Sequence, residues 1–250
     1  MLFGIFLFII FSSSCNSHFE KDNNEITAQK IKYFNHSFDV VTIDPSKTEI
    51  QIFLADKNNQ KYRSLKKLKE VIEKESNELL FAMNGGMYLK DGSPQGLFIE
   101  NGTTIKTLDT ISGGYGNFYL QPNGIFYLNK KNSVVCTTAA YLKTNPKPQY
   151  ATQSGPMLVI DNQLHPIFKE GSQHLNIRNG VGINSRGKVI FAISNDKVNL
   201  YDFAMFFKEK LACKNALYLD GFVSRAYIPK IKRKQLDGNF GVIVGVIQKH

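Results

Sequence analysis

Short apolar segments that end in glycine-containing or polar turns recur along most of the chain, and they constrain its fold more than any other feature. Such runs of β-forming residues are typical of short strands that turn back on one another. The clearest predicted strands lie at 49–54, 79–83, 189–193, 216–219 and 240–247. We therefore predict an α+β protein: a single β-rich domain over residues 31–250, with a mixed, largely antiparallel sheet and a few packed helices.

Turn residues and helical spacing refine this picture. A hairpin is expected at the entrance of the domain, with strands at 38–44 and 49–54. Asn101-Gly102 predicts a tight turn between two further strands. Two helices are predicted, the first behind an N-terminal cap at Ser64 and the second over 200–211 with an aromatic face. The stretch 143–149 is interpreted as a surface loop, not a domain boundary.

The N-terminal residues indicate export. Met1 to Phe11 is an almost unbroken apolar run, too short to span a bilayer but suited to a signal segment, here residues 1–14. Small residues before Cys15 resemble a bacterial lipoprotein processing site. We expect residues 15–30 to be a lipidated cysteine and a polar tether, so that Cys15 anchors the protein in the periplasm or outer cell envelope. Simple cleavage and release remains the alternative, because no basic residue precedes the apolar run.

The formal net charge of +10 makes an anionic partner worth considering. The dense basic cluster at 230–234 is interpreted as a solvated loop, and because no nucleic-acid motif accompanies it, no nucleic-acid partner is predicted. Cys136 and Cys213 could pair in an oxidising compartment or remain two buried thiols.

Several common catalytic solutions are absent from the sequence. It contains no phosphate-binding loop, no dinucleotide-binding glycine motif following a strand and no nucleophile elbow. The histidines lack metal-ligand spacing, so neither a metal nor a cofactor is predicted. What remains is polar residues at strand ends beside glycine. Chief among them is Asp220, which a predicted buried strand delivers to a turn with Gly221, unless Asp220-Gly221 is only a turn.

A family resemblance emerges when the strand-end motifs are taken in order. They are Asn84-Gly85-Gly86-Met87-Tyr88, Pro94-Gln95-Gly96-Leu97, Gly116-Asn117-Phe118, Gln153-Ser154-Gly155-Pro156-Met157-Leu158, Arg178-Asn179-Gly180-Val181-Gly182 and Leu219-Asp220-Gly221-Phe222-Val223-Ser224. This ordered set resembles the phosphodiester glycosidase family over roughly residues 35–248. The resemblance implies a hydrolase that cleaves a sugar-1-phosphate diester, and it makes 31–250 a phosphodiester glycosidase-like domain.

The resemblance also implies site residues. It assigns catalysis to Asp220 and Arg178, and substrate binding to Asn84, Gly85, Gly86, Gln95, Ser154, Asn179, Gly221 and Ser224. The chain departs from the family pattern in three places. Ser194-Asn195-Asp196 follows the predicted strand at 189–193, where many members have Asp-Gly. Phe222 and Val223 separate Gly221 from Ser224, and Asn179 stands where many members have Thr. The chain therefore resembles a bacterial subgroup whose substrate need not be that of other members.

The residue chemistry fits a phosphodiester. A guanidinium at Arg178 matches phosphate oxygens, Asp220 would be the nucleophile or the base that activates water, and Tyr88 or Phe118 would offer a ring face to a sugar. Alternatively, Arg178 and Asp220 form a buried ion pair that fixes two strand ends. Two functions therefore remain open: an envelope hydrolase of a glycan or glycolipid phosphodiester, or a non-catalytic lipoprotein that binds a glycan or an anionic polymer.

Overall fold

The computed structural model describes residues 26–130, 132–220 and 223–250. The strands are β1 (Ile26–Tyr33), β2 (His36–Ile43), β3 (Gln51–Phe53), β4 (Glu78–Asn84), β5 (Phe98–Glu100), β6 (Thr103–Lys106), β7 (Gly124–Leu128), β8 (Ser133–Thr137), β9 (Tyr150–Ser154), β10 (Met157–Ile160), β11 (Gln163–Leu164), β12 (Asn179–Asn184), β13 (Val189–Ser194), β14 (Cys213–Asp220), β15 (Ala226–Ile228), β16 (Arg233–Lys234) and β17 (Ile243–Gln248). The α-helices are α1 (Leu65–Lys74), α2 (Thr138–Thr144) and α3 (Leu200–Met205), with α3 continuing into a π-helical turn, Phe206–Lys210. The predicted α+β class is confirmed.

The described strands form three sheets. The first has the order β1-β2-β13-β12-β14-β10-β11, the second β16-β15-β4-β17-β3 and the third β6-β5-β9-β7-β8. The described pairings are antiparallel. Strands β4 and β9 are the middle strands of their sheets, and β14 lies inside the first sheet, between β12 and β10. These three interior strands end at Asn84, Ser154 and Asp220, so each sheet delivers a polar residue from its interior.

The sheets meet in a common aromatic core. Phe191 of β13 lies with its ring centroid 5.1 Å from that of Phe81 in β4 and 5.7 Å from that of Phe126 in β7, so one ring comes from each sheet. All three side chains are buried. Burial of a side chain of this size contributes roughly 1.5–3 kcal/mol. The rings therefore help to hold the sheets in a fixed relation to one another.

Both predicted helices are confirmed. Ser64 accepts a hydrogen bond from the Lys67 backbone N–H at 3.2 Å and so caps α1, whose apolar face is buried. Asn199 caps α3 in the same way, and Phe203, Phe206 and Phe207 are buried against the first sheet. The Phe206 ring stacks on Phe38 of β2 with centroids 3.9 Å apart. The expected Asn101-Gly102 turn also joins β5 to β6.

The structure corrects the predicted entrance of the domain. Strand β2 pairs with β1 and β13, whereas β3 pairs with β17 in the second sheet, so the hairpin predicted for 38–54 is wrong. The turn after β2 instead carries the chain from one sheet to another. Residues 26–30, assigned to the tether, lie in β1, while the signal segment and Cys15 lie outside the described residues. Helix α2 was not predicted and overlaps the start of the expected surface loop.

One residue of the basic cluster forms an ion pair, and the two cysteines are not joined in a disulfide. Arg233 donates to the buried carboxylate of Asp39 at 2.8 Å, so this member of the cluster belongs to an ion pair and not to a solvated loop. Cys136 and Cys213 are free thiols, and burial raises their pKa values to about 11 and about 12. Within the described residues, no helix has the length and apolar character needed to cross a membrane.

Candidate active site

The end of β14 opens into a cavity of about 430 Å³. Asp220 lines this cavity with Tyr88, Gln95, Asn117 and Phe118. Asp220 is 8% exposed and Phe118 is buried, so the cavity combines a carboxylate with an aromatic wall. Cavities of this size hold small ligands, and a ring face beside polar groups is suited to a sugar.

Tyr88 contributes a protonated hydroxyl to this cavity. Burial, followed by the nearby negative charge of Asp220, raises the pKa of Tyr88 to about 12. The phenol therefore stays neutral at physiological pH and is able to donate a hydrogen bond to a substrate oxygen.

Arg178 immediately precedes β12, and its guanidinium is held by neutral acceptors. Nε donates to the Val198 carbonyl at 2.7 Å, Nη1 to the Tyr218 hydroxyl at 3.1 Å and Nη2 to the His174 carbonyl at 2.7 Å. The residue is 2% exposed. These bonds use three of the five guanidinium N–H groups. The alternative of an Arg178–Asp220 ion pair stays a prediction.

A second cavity, of about 380 Å³, places Arg178 beside the first. Arg178 lines this cavity together with Leu120, Phe168 and Leu200. Asn117 belongs to the walls of both cavities, so the two adjoin. The arrangement brings a positive charge and a carboxylate to two adjoining cavities.

Asn179 joins the strand ends behind the cavities. Its Nδ2 donates to the backbone oxygen of Asn84 at 2.8 Å and to Asn84 Oδ1 at 3.1 Å. Its Oδ1 accepts from the backbone N–H of Asp220 at 3.1 Å, and Ser224 Oγ lies 3.3 Å from the same atom. The Arg225 backbone N–H donates to Asn84 Oδ1 at 2.9 Å. Asn179 is fully buried and lines neither described cavity, so its contacts connect β4 to β14.

The Asn179 side chain donates hydrogen bonds through Nδ2 and accepts them through Oδ1, and exchange for Asp should remove only the donating part. The carboxylate still accepts from Asp220 N–H, but it cannot donate to Asn84 and places a charge against two oxygens. We expect the Asn179→Asp variant to lose about 1–3 kcal/mol of unfolding free energy. Chemical denaturation checks this, with the exposed Asn162→Asp as control. Equal stability of the two variants would contradict the connecting role.

The other predicted residues occupy several environments. Ser154 Oγ donates to the Leu219 carbonyl at 2.7 Å and is buried, which links the third sheet to β14. Ser224 Oγ lies 2.6 Å from the Asp220 carbonyl and closes the turn after β14. A Cβ on Gly86 would lie 2.4 Å from Thr152 Oγ1, so this glycine permits close packing behind the site. Gly85 donates its backbone N–H to the Val242 carbonyl at 2.8 Å. Gly221 lies outside the described residues.

Two site features were missed in the sequence. Asn117 had appeared only as part of a motif, and its place between the cavities depends on the fold. Tyr218, whose hydroxyl accepts from Arg178, lies in the middle of an apolar run and gave no signal. Burial raises the pKa of Tyr218 strongly, so this hydroxyl remains protonated. Within the described residues, no group of three His, Cys, Asp or Glu side chains is placed to hold a metal ion.

Comparison with known proteins decides the family. A sequence model described as phosphodiester glycosidase matches residues 77–243, which include Asn84, Arg178 and Asp220. The chain belongs to the phosphodiester glycosidase family. Another related sequence is the uncharacterized protein YigE of Escherichia coli (strain K12), 35% identical over 187 residues that cover 75% of this chain and 72% of YigE.

Two solved structures with low sequence identity to this chain have a similar fold. One is the zebrafish N-acetylglucosamine-1-phosphodiester alpha-N-acetylglucosaminidase catalytic domain, auto-inhibited by its pro-peptide. It has a TM-score of 0.59 and 15% identity, covering 90% of this chain and 82% of that one. A hypothetical protein from Synechocystis has a TM-score of 0.56 and 13% identity, covering 90% and 62%. At these identities the likeness concerns the fold.

Proposed function

We propose that the protein is a cell-envelope hydrolase that cleaves a sugar-1-phosphate diester of a glycan or glycolipid. The observation that carries this proposal is the pair of adjoining cavities, one lined by Asp220 and the other by the buried guanidinium of Arg178. A glycosyl phosphodiester has one anionic group next to its reactive carbon, and the two adjoining cavities offer a cation and a carboxylate.

In the proposed reaction, the sugar occupies the Asp220 cavity and the phosphate lies towards Arg178. The described contacts leave one N–H on each terminal nitrogen of Arg178 for phosphate oxygens. Asp220 either attacks C1 or removes a proton from the attacking water. The C1–O bond breaks with its electron pair going to the phosphate oxygen, and water supplies the new hydroxyl at C1. Because the leaving group is a stabilised anion, the need for a general acid is reduced.

The remaining predicted site residues either contact the substrate or hold the backbone around Asp220 in this proposal. Gln95 and Tyr88 line the Asp220 cavity and would bind sugar hydroxyls. Asn84 Nδ2 is buried without a hydrogen-bond partner among the described residues, which leaves it able to donate, although Asn84 lines neither described cavity. Ser154, Asn179 and Ser224 use their side chains on the backbone around Asp220, and so would position the carboxylate instead of touching substrate.

The test is hydrolysis of a panel of sugar-1-phosphate diesters by residues 16–250 in ¹⁸O water. Label in the released sugar is the expected result, because C1–O cleavage puts the water oxygen on carbon. Label in the phosphate would replace the proposal by a phosphodiesterase. Absence of turnover on every diester, with retained binding of the same compounds, would favour the non-catalytic glycan-binding alternative.

We further propose that Cys15 is lipidated and anchors the exported protein in the envelope, on the strength of the apolar run and the small residues before it. Fractionation of bacterial cells should then place the full chain in the membrane fraction and Cys15→Ser in the soluble fraction. The same distribution for both proteins would exclude the anchor.

A further inference from the structure

The cavity at Arg178 has an uneven lining. Arg178 supplies a cationic group, and Asn117, Ser172 and Asn176 supply polar side chains. Carbon surface comes from Leu120, Ile167, Phe168, Leu200 and Tyr201. Leu120, Phe168, Leu200 and Tyr201 are only partly buried, and Ile167 is 52% exposed. These side chains therefore still have apolar surface that a ligand could cover.

In a glycosyl phosphodiester the sugar, the phosphate and the alcohol follow one another, so each cavity can be matched to one portion of the substrate. With C1 at Asp220 and the phosphate towards Arg178, the alcohol on the far side of the phosphate extends into the Arg178 cavity. This assignment rests on the proposed function. We propose that the Arg178 cavity is an aglycone subsite that selects phosphodiesters of apolar alcohols, such as alkyl or aryl alcohols, over those of sugars.

The charge distribution of the lining supports a monoanionic, otherwise apolar ligand. Besides Arg178, the cavity is lined by Lys169, an exposed residue, and by His174, and it includes no Asp or Glu of the described residues. Glu170 follows Lys169 in the chain but does not line the cavity. The charged side chains thus attract a phosphate, and the partly buried carbon surface is left for an apolar group of the ligand.

The test uses diesters of one accepted sugar-1-phosphate with methyl, butyl and octyl alcohols. Burying one methylene lowers KM by up to about fourfold, so wild type should show a KM that falls from methyl to octyl. In Ile167→Ser/Leu200→Ser the dependence of KM on chain length should be weaker. Ile105→Ser is a matched control, because Ile105 is 50% exposed on β6 and lines neither described cavity.

A binding experiment keeps the two proposals distinguishable. Calorimetry with octyl phosphate, butyl phosphate and inorganic phosphate should show tighter binding with chain length to wild type and to Asp220→Asn, and a weaker dependence in Ile167→Ser/Leu200→Ser. If this dependence appears without turnover of any diester, the proposed reaction fails and the subsite stands. Equal affinity for octyl and inorganic phosphate, or equal chain-length dependence in wild type and the double variant, would overturn the subsite.

Discussion

Asp220→Asn should lower turnover of the accepted diester by roughly 10²- to 10⁴-fold, the usual contribution of a general base. The change removes the negative charge but keeps the size and shape of the side chain. The backbone N–H and carbonyl of Asp220 are bonded to Asn179 Oδ1 and Ser224 Oγ, and neither bond uses the carboxylate. Because the side chain keeps its size and the backbone bonds remain, binding should persist while kcat falls. Steady-state kinetics and calorimetry with the diester measure this, and thermal melting on the same preparation checks that the variant is folded.

The matched control is Asp161→Asn, in the exposed turn between β10 and β11. It makes the same chemical exchange at a residue that lines neither described cavity, and its kcat should equal that of wild type. If Asp220→Asn retained wild-type kcat, Asp220 would have no part in the chemistry, and the carboxylate would have to be assigned a structural role.

The second large effect is expected for Arg178→Lys, which should lower kcat/KM by roughly 10²- to 10³-fold, as for loss of a group that stabilises developing negative charge. The ammonium keeps the charge but cannot hold the Val198 and His174 carbonyls and the Tyr218 hydroxyl while presenting a fork to phosphate. Loss of these buried bonds should also cost about 1–3 kcal/mol of unfolding free energy.

Steady-state kinetics and denaturation on Arg178→Lys separate the two effects, with the exposed Arg186→Lys as control. A destabilised variant with wild-type kcat/KM would mean that Arg178 is only a structural link between the start of β12 and the loops around it. In that case the anion would need another binding group, and the exposed Lys169 of the same cavity would be the first residue to substitute.

Local sequence patterns predicted the elements whose determinants are local. Alternation, caps and turn residues identified α1, α3, β4, β13 and β14 within a few residues. They failed where the determinant is a distant partner. Nothing near β3 shows that it pairs with β17 at the other end of the chain. Strand β1 has lysines and glutamine on its outer face because it is an edge strand, and this polarity made it resemble a tether.

The site shows the same division. Asp220 could be singled out because it stands at a strand end beside glycine, and Gln95 because the family resemblance implies it; both line one cavity. The role of Asn179 could not be read from the sequence, since its bonds run to residues 41 positions ahead and 95 behind. A polar residue at a strand end therefore predicts that it belongs near a site, but only the packing of the sheets separates cavity-lining residues from supporting ones.

The meeting of three interior strand ends has a consequence for how activity arises during folding. Asn84, Ser154 and Asp220 come from different sheets, and the bonds among their surroundings form only when all three sheets have docked. Contacts between such distant segments form slowly, because long loops must close first. After dilution from denaturant, catalytic activity should therefore return later than strand structure. The rate at which activity returns would then report how fast the last sheet docks.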